Sequence, residues 1–491
     1  MSLLKHKLKR YQAQDIKFLI EAERACVFNV PGSGKTPTAL GCFQLLANNG
    51  YTKFVVIAEP SLLYQWRDEI KKFTELHPYV CKSLTKSKRV ALYQEWAASK
   101  EASILVIGYS SLRADYAELY QLCYKLRVFA NGALVYDEAA VLSNKNQTSL
   151  NATHLSKLFR YVYALTATPV TTSPVQFHKI FKTIGVFPLN KADFIEKCCS
   201  TEEKKIWQGY GVPPKKLIEV TGIKDMALVK QLYGKHYVRR TRKDIAADFT
   251  EKQKNVFYYV YPANKEQQKL IKRLSKEMFA IARGEILQEV EGNSLTRYLY
   301  FKQTLDMPWL VDDINFTPDI SPKIDGFMHL LDTELAEEKK IFCFAQFKRF
   351  GVKLAERLNK KYGENAAKVL NGDMHKEEQA AAIQSFVSGD TRFLIATTIA
   401  ERGLNLQVAH NTIFFDLPST VSSIVQIQGR TDRVGQESPI LNYFFLLIED
   451  SIEYKIFETL RNRAETFDML LEDETFANFN LESDEFIKSL V

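Results

Sequence analysis

Short apolar runs alternate with longer amphipathic stretches along this chain, and that rhythm predicts its elements. Three early runs, FVVIAEP (54–60), SILVIGY (103–109) and GALVYDE (132–138), are rich in β-branched and aliphatic residues and keep their polar residues at the C-terminal end. Being apolar at nearly every position, they predict strands of a parallel sheet buried on both faces. A second set follows residue 340: KIFCFAQ (340–346), RFLIATT (392–398), NTIFFDL (411–417) and NYFFLLI (442–448). Amphipathic segments such as RFGVKLAERLNKKYG lie between them, with Gly363 placed to stop the helix. Strand and helix signals in this order predict an α/β fold of two lobes.

The stretch from about 170 to 335 is different. It is rich in helix formers and in basic and aromatic residues, as in KEQQKLIKRLSKEMFAIARGEILQEV, and lacks the strand rhythm. The expected organisation is a first lobe over 1–250 with a helical protrusion at 171–250, then a helical protrusion and connector over 251–335. A second lobe over 336–450 and a terminal helix with an acidic tail over 451–491 complete it. No repeat of solenoid length is present.

Composition adds bounds. Apolar residues make up 46% and charged residues 25% of 491, enough for large cores without disulfides. No run reaches the ~18 apolar residues of a membrane span, and charges break the apolar stretch after the basic start MSLLKHKLKR. A cytoplasmic protein of a bacterium or phage-infected cell is expected. The seven cysteines form no C-x-x-C pair and the eight histidines have no metal-ligand spacing, so reduced cysteines and no zinc are expected. The formal charge of +8 is compatible with nucleic acid without pointing to it. Without coiled-coil heptads, a monomer is the expectation.

The strongest local feature is Asn29-Val-Pro-Gly-Ser-Gly-Lys-Thr36, entered by the strand-like ACVFNV and left by the helix-like PTALGCFQLL. Gly32 and Gly34, with Pro31 and Ser33 between and before them, let backbone N–H groups turn in around phosphate oxygens at a helix N-terminus. Lys35 reaches the outer phosphates, and the Thr36 hydroxyl suits Mg²⁺. Asp137-Glu138 ends the strand GALVYDE, at the sheet edge where ligands bind. Asp137 is expected to hold Mg²⁺, and Glu138 to orient and deprotonate the attacking water. Far along the chain, Arg430 and Arg433 in QIQGRTDRVGQ (426–436) are three residues apart and share a helix face. They suit the charge on a transferring γ-phosphoryl group.

With these elements in place, the sequence resembles a superfamily 2 helicase of the SWI/SNF-type branch, over roughly residues 8–460. LKRYQ (8–12) resembles the motif whose glutamine recognises adenine, which implies nucleotide contact for Arg10 and Gln12. VVIAEPSLLYQWRDEIKKF (55–73), IGYSSL (107–112), ALTATPV (164–170), YVRRTRKDIAADF (237–249), QTLDMPWL (303–310), GLNL (403–406) and GRTDRVGQ (429–436) resemble further landmarks of that branch. DSIEYKIFETLRNR (450–463) resembles its trailing helix. The resemblance implies two RecA-like lobes, parallel sheets with helices on both faces, that bind ATP and Mg²⁺ between them. It adds Gly403 and Gln426 to the nucleotide contacts and makes DNA the partner. Small phage-encoded and fork-remodelling relatives are similar in build.

Three departures stand out: Asn29 where the phosphate loop usually has glycine, Ala140 where the branch has histidine, and Ile399-Ala-Glu-Arg402, which reads more like the DEAD-box version. Strand-tracking motors grip phosphates with hydroxyls, amides and cations. Candidates are Ser61, Tyr109 and Ser111 in the first lobe and Gln346, Asn371 and Thr398 in the second. Arg239 and Arg240 are expected to contact DNA or the partner lobe, while Trp207, Tyr210 and Trp309 either stack on bases or pack in a core. Translocation with branch remodelling, protein displacement on duplex DNA, an ATP-gated DNA-binding switch and an RNA helicase all remain open at this point.

Overall fold

In the computed structural model the described residues are 4–460, apart from 145, 171–172, 207–214, 242, 249–251, 283–293, 319, 402–403, 419, 434–435, 454–455 and 458–459. Gly403, Trp207, Tyr210 and most of the expected acidic tail therefore lie outside them. The chain forms two compact units, one dominated by residues up to 202 with 219–251 and the other by residues from Lys252 on.

The first unit is built on a parallel sheet. Its strands are β1 (Arg24–Val27), β2 (Lys53–Ala58), β3 (His77–Val80), β4 (Ser103–Gly108), β5 (Gly132–Asp137) and β6 (Tyr161–Leu165). After a separate two-stranded sheet of β7 (Cys199–Ile206) and β8 (Lys215–Ile223), the chain returns to add β9 (Tyr237–Val238). The order is β3-β4-β2-β5-β6-β1-β9. Every residue of β2, β4, β5 and β6 is buried, as the uninterrupted apolar runs require. Register then places the chemistry. Leu165 of β6 pairs with Val27 of β1 on one side and Asp137 of β5 on the other. Two strand spacings of ~4.8 Å put the end of β1 and Asp137 about 10 Å apart on the same sheet edge.

The second unit holds β10 (Gln253–Tyr261), β11 (Ile341–Phe344), β12 (Ala367–Leu370), β13 (Phe393–Ala396), β14 (Asn411–Phe414) and β15 (Ile440–Ile448), in the order β10-β15-β14-β11-β13-β12. Again the pairings are parallel. Phe344, Ala396, Leu370 and Phe414 share one row, so the loops carrying Gln346, Thr398, Asn371 and Asp416 leave from one edge.

The interval expected to be helical needs correction. Helices are present, among them Val175–Thr183, Lys265–Ala282 and Ser294–Asp306, but so are four strands. β9 pairs with β1 in the first sheet and β10 runs nine residues along β15 in the second. The sequence of β10, QKNVFYYVY, is half-buried along most of its length, so no polar-apolar alternation marks it. Its aromatic side chains pay off only in long-range stacking, as Phe257 on Phe444 and Tyr258 on Phe445.

All seven cysteines are buried and unbridged. Among the described residues no helix is long and apolar enough to cross a membrane.

A buried charged cluster joins several segments of the second unit. The Lys323 ammonium donates to Asp306 (2.8 Å), Glu453 (2.6 Å) and the Phe415 carbonyl (2.7 Å). Glu453 in turn accepts from the Ile448 N–H at 2.8 Å. Desolvation alone would discharge Lys323, but Asp306, Glu453 and Asp416 overturn it and hold the ammonium above the ordinary lysine value. Burial, with Asp416 alongside, pushes the Asp306 carboxyl well above the usual carboxylate range.

Removing one member of such a cluster strands the others. Lys323→Ala is expected to destabilise the second unit by about 3–5 kcal/mol, whereas Lys323→Met with Asp306→Asn and Glu453→Gln recovers most of it. Denaturant-dependent amide exchange of β11 and β14 measures both. Equal stability of Lys323→Ala and the native chain would contradict the account.

Candidate nucleotide site and the family of the chain

The phosphate loop follows β1 directly. Gly32 and Gly34 adopt φ of 77° and 79°, left-handed values that favour glycine. A Cβ at 34 would also strike Gln12 Nε2. The helix Lys35–Asn48 begins at once, with no acidic residue in its first turn, so its N-terminal N–H groups face the loop. Lys35 Nζ lies over the loop and donates to the carbonyls of Asn29 (3.0 Å) and Val30 (3.4 Å).

The loop is braced from both sides. Helix Arg10–Ala22 turns Tyr11, Gln12, Asp15, Ile16 and Leu19 inward, the spacing of one helical face. The Tyr11 hydroxyl donates to the Ser33 carbonyl at 2.5 Å, and Gln12 Nε2 to those of Ser33 (3.3 Å) and Gly34 (3.5 Å). Gln12, read from sequence as an adenine contact, is thus tied to the loop backbone, while Arg10 stands exposed. Asn29 is 1% exposed, and its Nδ2 donates to Asp15 Oδ2 at 2.8 Å. Arg240 closes the arrangement on Asp15 Oδ1, with Nε at 2.8 Å. Burial raises the Asp15 carboxyl, while hydrogen bonds from Arg240 and Asn29 work against that rise. Asparagine at the glycine position is therefore a strut between loop and helix.

Arg239 and Arg240 reach the loop because β9 pairs with β1. Phe28 N–H donates to the Val238 carbonyl (2.9 Å) and Val30 N–H to that of Arg240 (3.1 Å). Arg239 donates to the Phe28 carbonyl and, at 3.4 Å, to that of Ala167. Both guanidinium groups, expected on DNA or the other lobe, make these hydrogen bonds inside the first unit.

Asp137, at the end of β5, is 8% exposed. Its Oδ2 accepts from the Trp66 indole N–H at 2.7 Å and its Oδ1 from the Glu138 N–H at 3.0 Å. Glu138 turns through a left-handed φ of 50°, a backbone strain of about 1–3 kcal/mol placed at the end of a buried strand. Desolvation first, then the Glu138 charge, raise the Asp137 carboxyl to about 6, although Trp66 and Lys35 pull it down. Trp66 was legible only as a motif letter. Its role, orienting the acid, needed the fold.

Among the described residues no group of three or more His, Cys, Asp or Glu is arranged to hold a metal alone. Mg²⁺ needs none, since it takes one or two carboxylates together with phosphate oxygens. Asp137 fits that use: its carboxylate is desolvated beside another acid, and a cation relieves both effects. Thr36 is suitably placed in the first turn of the helix after the loop.

In the second unit, Thr420 caps the helix Val421–Thr431 through Ser423 N–H. Arg430, in its last turn, is 7% exposed and donates to the carbonyls of Ala400 (2.9 Å) and Glu401 (2.5 Å). Arg433 donates to the Gly429 carbonyl (2.9 Å) and to Asn405. Burial lowers its guanidinium below the ordinary arginine value. Gln426, one turn earlier, contacts Ser422 at 3.5 Å.

Two family patterns cover most of this chain. The SNF2-related domain matches residues 11–309, and the helicase conserved C-terminal domain matches 322–435. The chain belongs to the SNF2-related family. It is similar to a chromodomain-helicase-DNA-binding protein 1-like of Danio rerio, 25% identical over 96% of this chain and 44% of that protein. The putative ATP-dependent helicase/translocase YwqA of Bacillus subtilis is 24% identical, over 96% of this chain and 49% of that protein. The chain spans about half the length of these relatives. The solved SWI2/SNF2 ATPase core of Sulfolobus solfataricus in complex with dsDNA aligns over 100% of this chain and 98% of that one, at 20% identity and a TM-score of 0.40.

Of the grips expected in an SNF2-related chain, Ser61 and Thr398 are exposed and Ser111 is half-buried. Asn371 caps its own turn by accepting from Asp373 N–H at 3.0 Å. Tyr109 is placed elsewhere: it is 6% exposed and its hydroxyl donates to the Asp137 carbonyl at 2.7 Å, so it braces the acid from behind.

The raised Asp137 carboxyl sets a pH dependence. Protonation removes the charge that favours the metal, so ATP hydrolysis at subsaturating Mg²⁺ is expected to fall as pH drops through about 6. Trp66→Phe removes a donor that favours the ionised form, so its fall begins at higher pH. It also lowers the rate at neutral pH by about tenfold, the scale of one lost hydrogen bond to a charged group. Rate against pH for the two chains tests this; superimposable profiles would contradict it.

Proposed function

We propose that the protein is an ATP-dependent motor that moves along DNA, and that its preferred substrates are branched: forks and four-way junctions. The observation that carries the motor reading is the pairing row Val27–Leu165–Asp137, which sets phosphate loop and acids at one edge of an SNF2-related first unit.

In this reading the loop N–H groups from Gly32 to Thr36 (Gly32, Ser33 and Gly34 foremost) and the Lys35 ammonium hold the outer phosphates. Thr36 and Asp137 hold Mg²⁺, which when bound neutralises charge on the phosphate oxygens. Glu138 orients the water and accepts its proton, from a strained turn that fixes where its carboxylate begins. In the second unit, Arg430 and Arg433 are the cations suited to charge on a transferring γ-phosphoryl group, and their guanidinium groups are held by backbone carbonyls. In the first unit, Arg10 and Gln12 are the further nucleotide contacts of this reading. Binding and release of ATP then bias two conformations of the motor, and grips on DNA phosphates turn that bias into movement.

DNA as the track is supported by the family and by relatives whose names include DNA binding and translocation. Branch remodelling is the form of work we propose for that motor. Protein displacement on plain duplex is the competing outcome.

Hydrolysis in the presence of single-stranded, duplex, forked and four-way DNA, and of RNA, tests the proposal. DNA is expected to stimulate more than RNA, and forks or junctions to yield separated or migrated products on gels. Lys35→Ala is expected to abolish hydrolysis. Stimulation by duplex with no product from any branched substrate would sink the remodelling proposal, and stimulation by RNA alone would sink DNA as the track.

A further inference from the structure

Lys302 is fully buried in the second unit and touches none of the residues assigned to ATP. Its ammonium donates to Gln346 Oε1 at 2.6 Å and to the Leu417 carbonyl at 2.8 Å. An ammonium has donors only, so it fixes which end of the Gln346 amide it meets. The oxygen must face Lys302, and the NH₂ must face away. The Gln346 backbone is held as well: its N–H donates to Asp416 Oδ2 at 2.8 Å. Among the described residues no protein group accepts from Gln346 Nε2.

Gln346 sits two residues past β11, at the edge from which the Asn371 and Thr398 loops also leave. The helix Lys348–Tyr362 starts immediately afterwards without a side-chain cap or an acidic residue in its first turn. It opens instead on Lys348 and Arg349, cations that oppose the helix dipole there and pair at the surface with Asp373 and Asp313. An anion at this edge would satisfy both the helix end and the outward NH₂.

We propose that Lys302 is a positioning residue that locks Gln346 as a hydrogen-bond donor to a phosphate of the DNA backbone. The proposal rests on the motor reading above and adds the atom that meets the strand. Lys302 acts only through Gln346: it spends a buried charge to set one amide orientation, so the grip needs no reorganisation when DNA arrives.

Gln346→Glu separates this role from a structural one. Glutamate keeps the acceptor that Lys302 needs but presents a carboxylate oxygen where the NH₂ stood. DNA affinity, read by anisotropy of a labelled duplex with the full chain, is expected to fall about tenfold or more with an unchanged melting midpoint. Lys302→Met is expected to weaken binding too, and Lys302→Met with Gln346→Met to be no weaker than Gln346→Met alone. Wild-type affinity in Gln346→Glu overturns the proposal, whether or not Lys302→Met folds. So do losses at 302 and 346 that multiply. A native chain that binds no DNA overturns the motor reading as well, which distinguishes the two failures.

Discussion

A parallel sheet covered on both faces leaves its polar residues one place to go, the strand ends, and the rest of this molecule follows from that constraint. β5 is buried from Gly132 to Asp137, so its acid emerges only where the sheet stops. There it is desolvated and adjoins a second acid, a costly arrangement that a bound cation would relieve. Trp66, Tyr109 and the Glu138 N–H converge on this one residue, on its carboxylate or its carbonyl. The loop after β1 is fastened with similar care, through Tyr11, Gln12 and the Asp15–Asn29–Arg240 strut. Rigid support around both groups is what preorganised phosphate chemistry requires.

Much of this was legible in the sequence because it is local. Glycine-rich loop, strand-terminal acids and apolar runs announce themselves within a dozen residues, and the strands they predicted are those that carry the site. The struts were not legible, because each joins segments far apart in the chain. Asn29 read as a departure until Asp15, 14 residues before it, and Arg240, 225 residues beyond Asp15, made it part of a strut. Tyr109 read as a phosphate grip and Arg239 as a contact to DNA or the partner lobe, yet burial of the one and the backbone hydrogen bonds of the other turn them inward. β9 and β10 escaped for a related reason: a two-residue strand and a half-buried aromatic edge carry no period of their own.

The second unit repeats the logic with different chemistry. Its core keeps charge where apolar packing would serve, and Lys323 and Lys302 each bind a carbonyl at the end of β14, at Phe415 and Leu417. Such buried lysines fix loops rather than add stability. They tie the QTLDMPWL segment, the helix Pro322–Asp332 and Glu453 to the edge from which Gln346 leaves. In the first unit, Ala140 lies in the turn Ala139–Ser143, whose Ser143 carbonyl accepts from Lys179 at 2.6 Å.

Movement driven by hydrolysis is reported directly by displacement of a third strand from a DNA triplex, without strand separation in the duplex. Release of the third strand is expected with ATP and Mg²⁺, and none with a non-hydrolysable ATP analogue. Vigorous DNA-stimulated hydrolysis that leaves the triplex intact would contradict it.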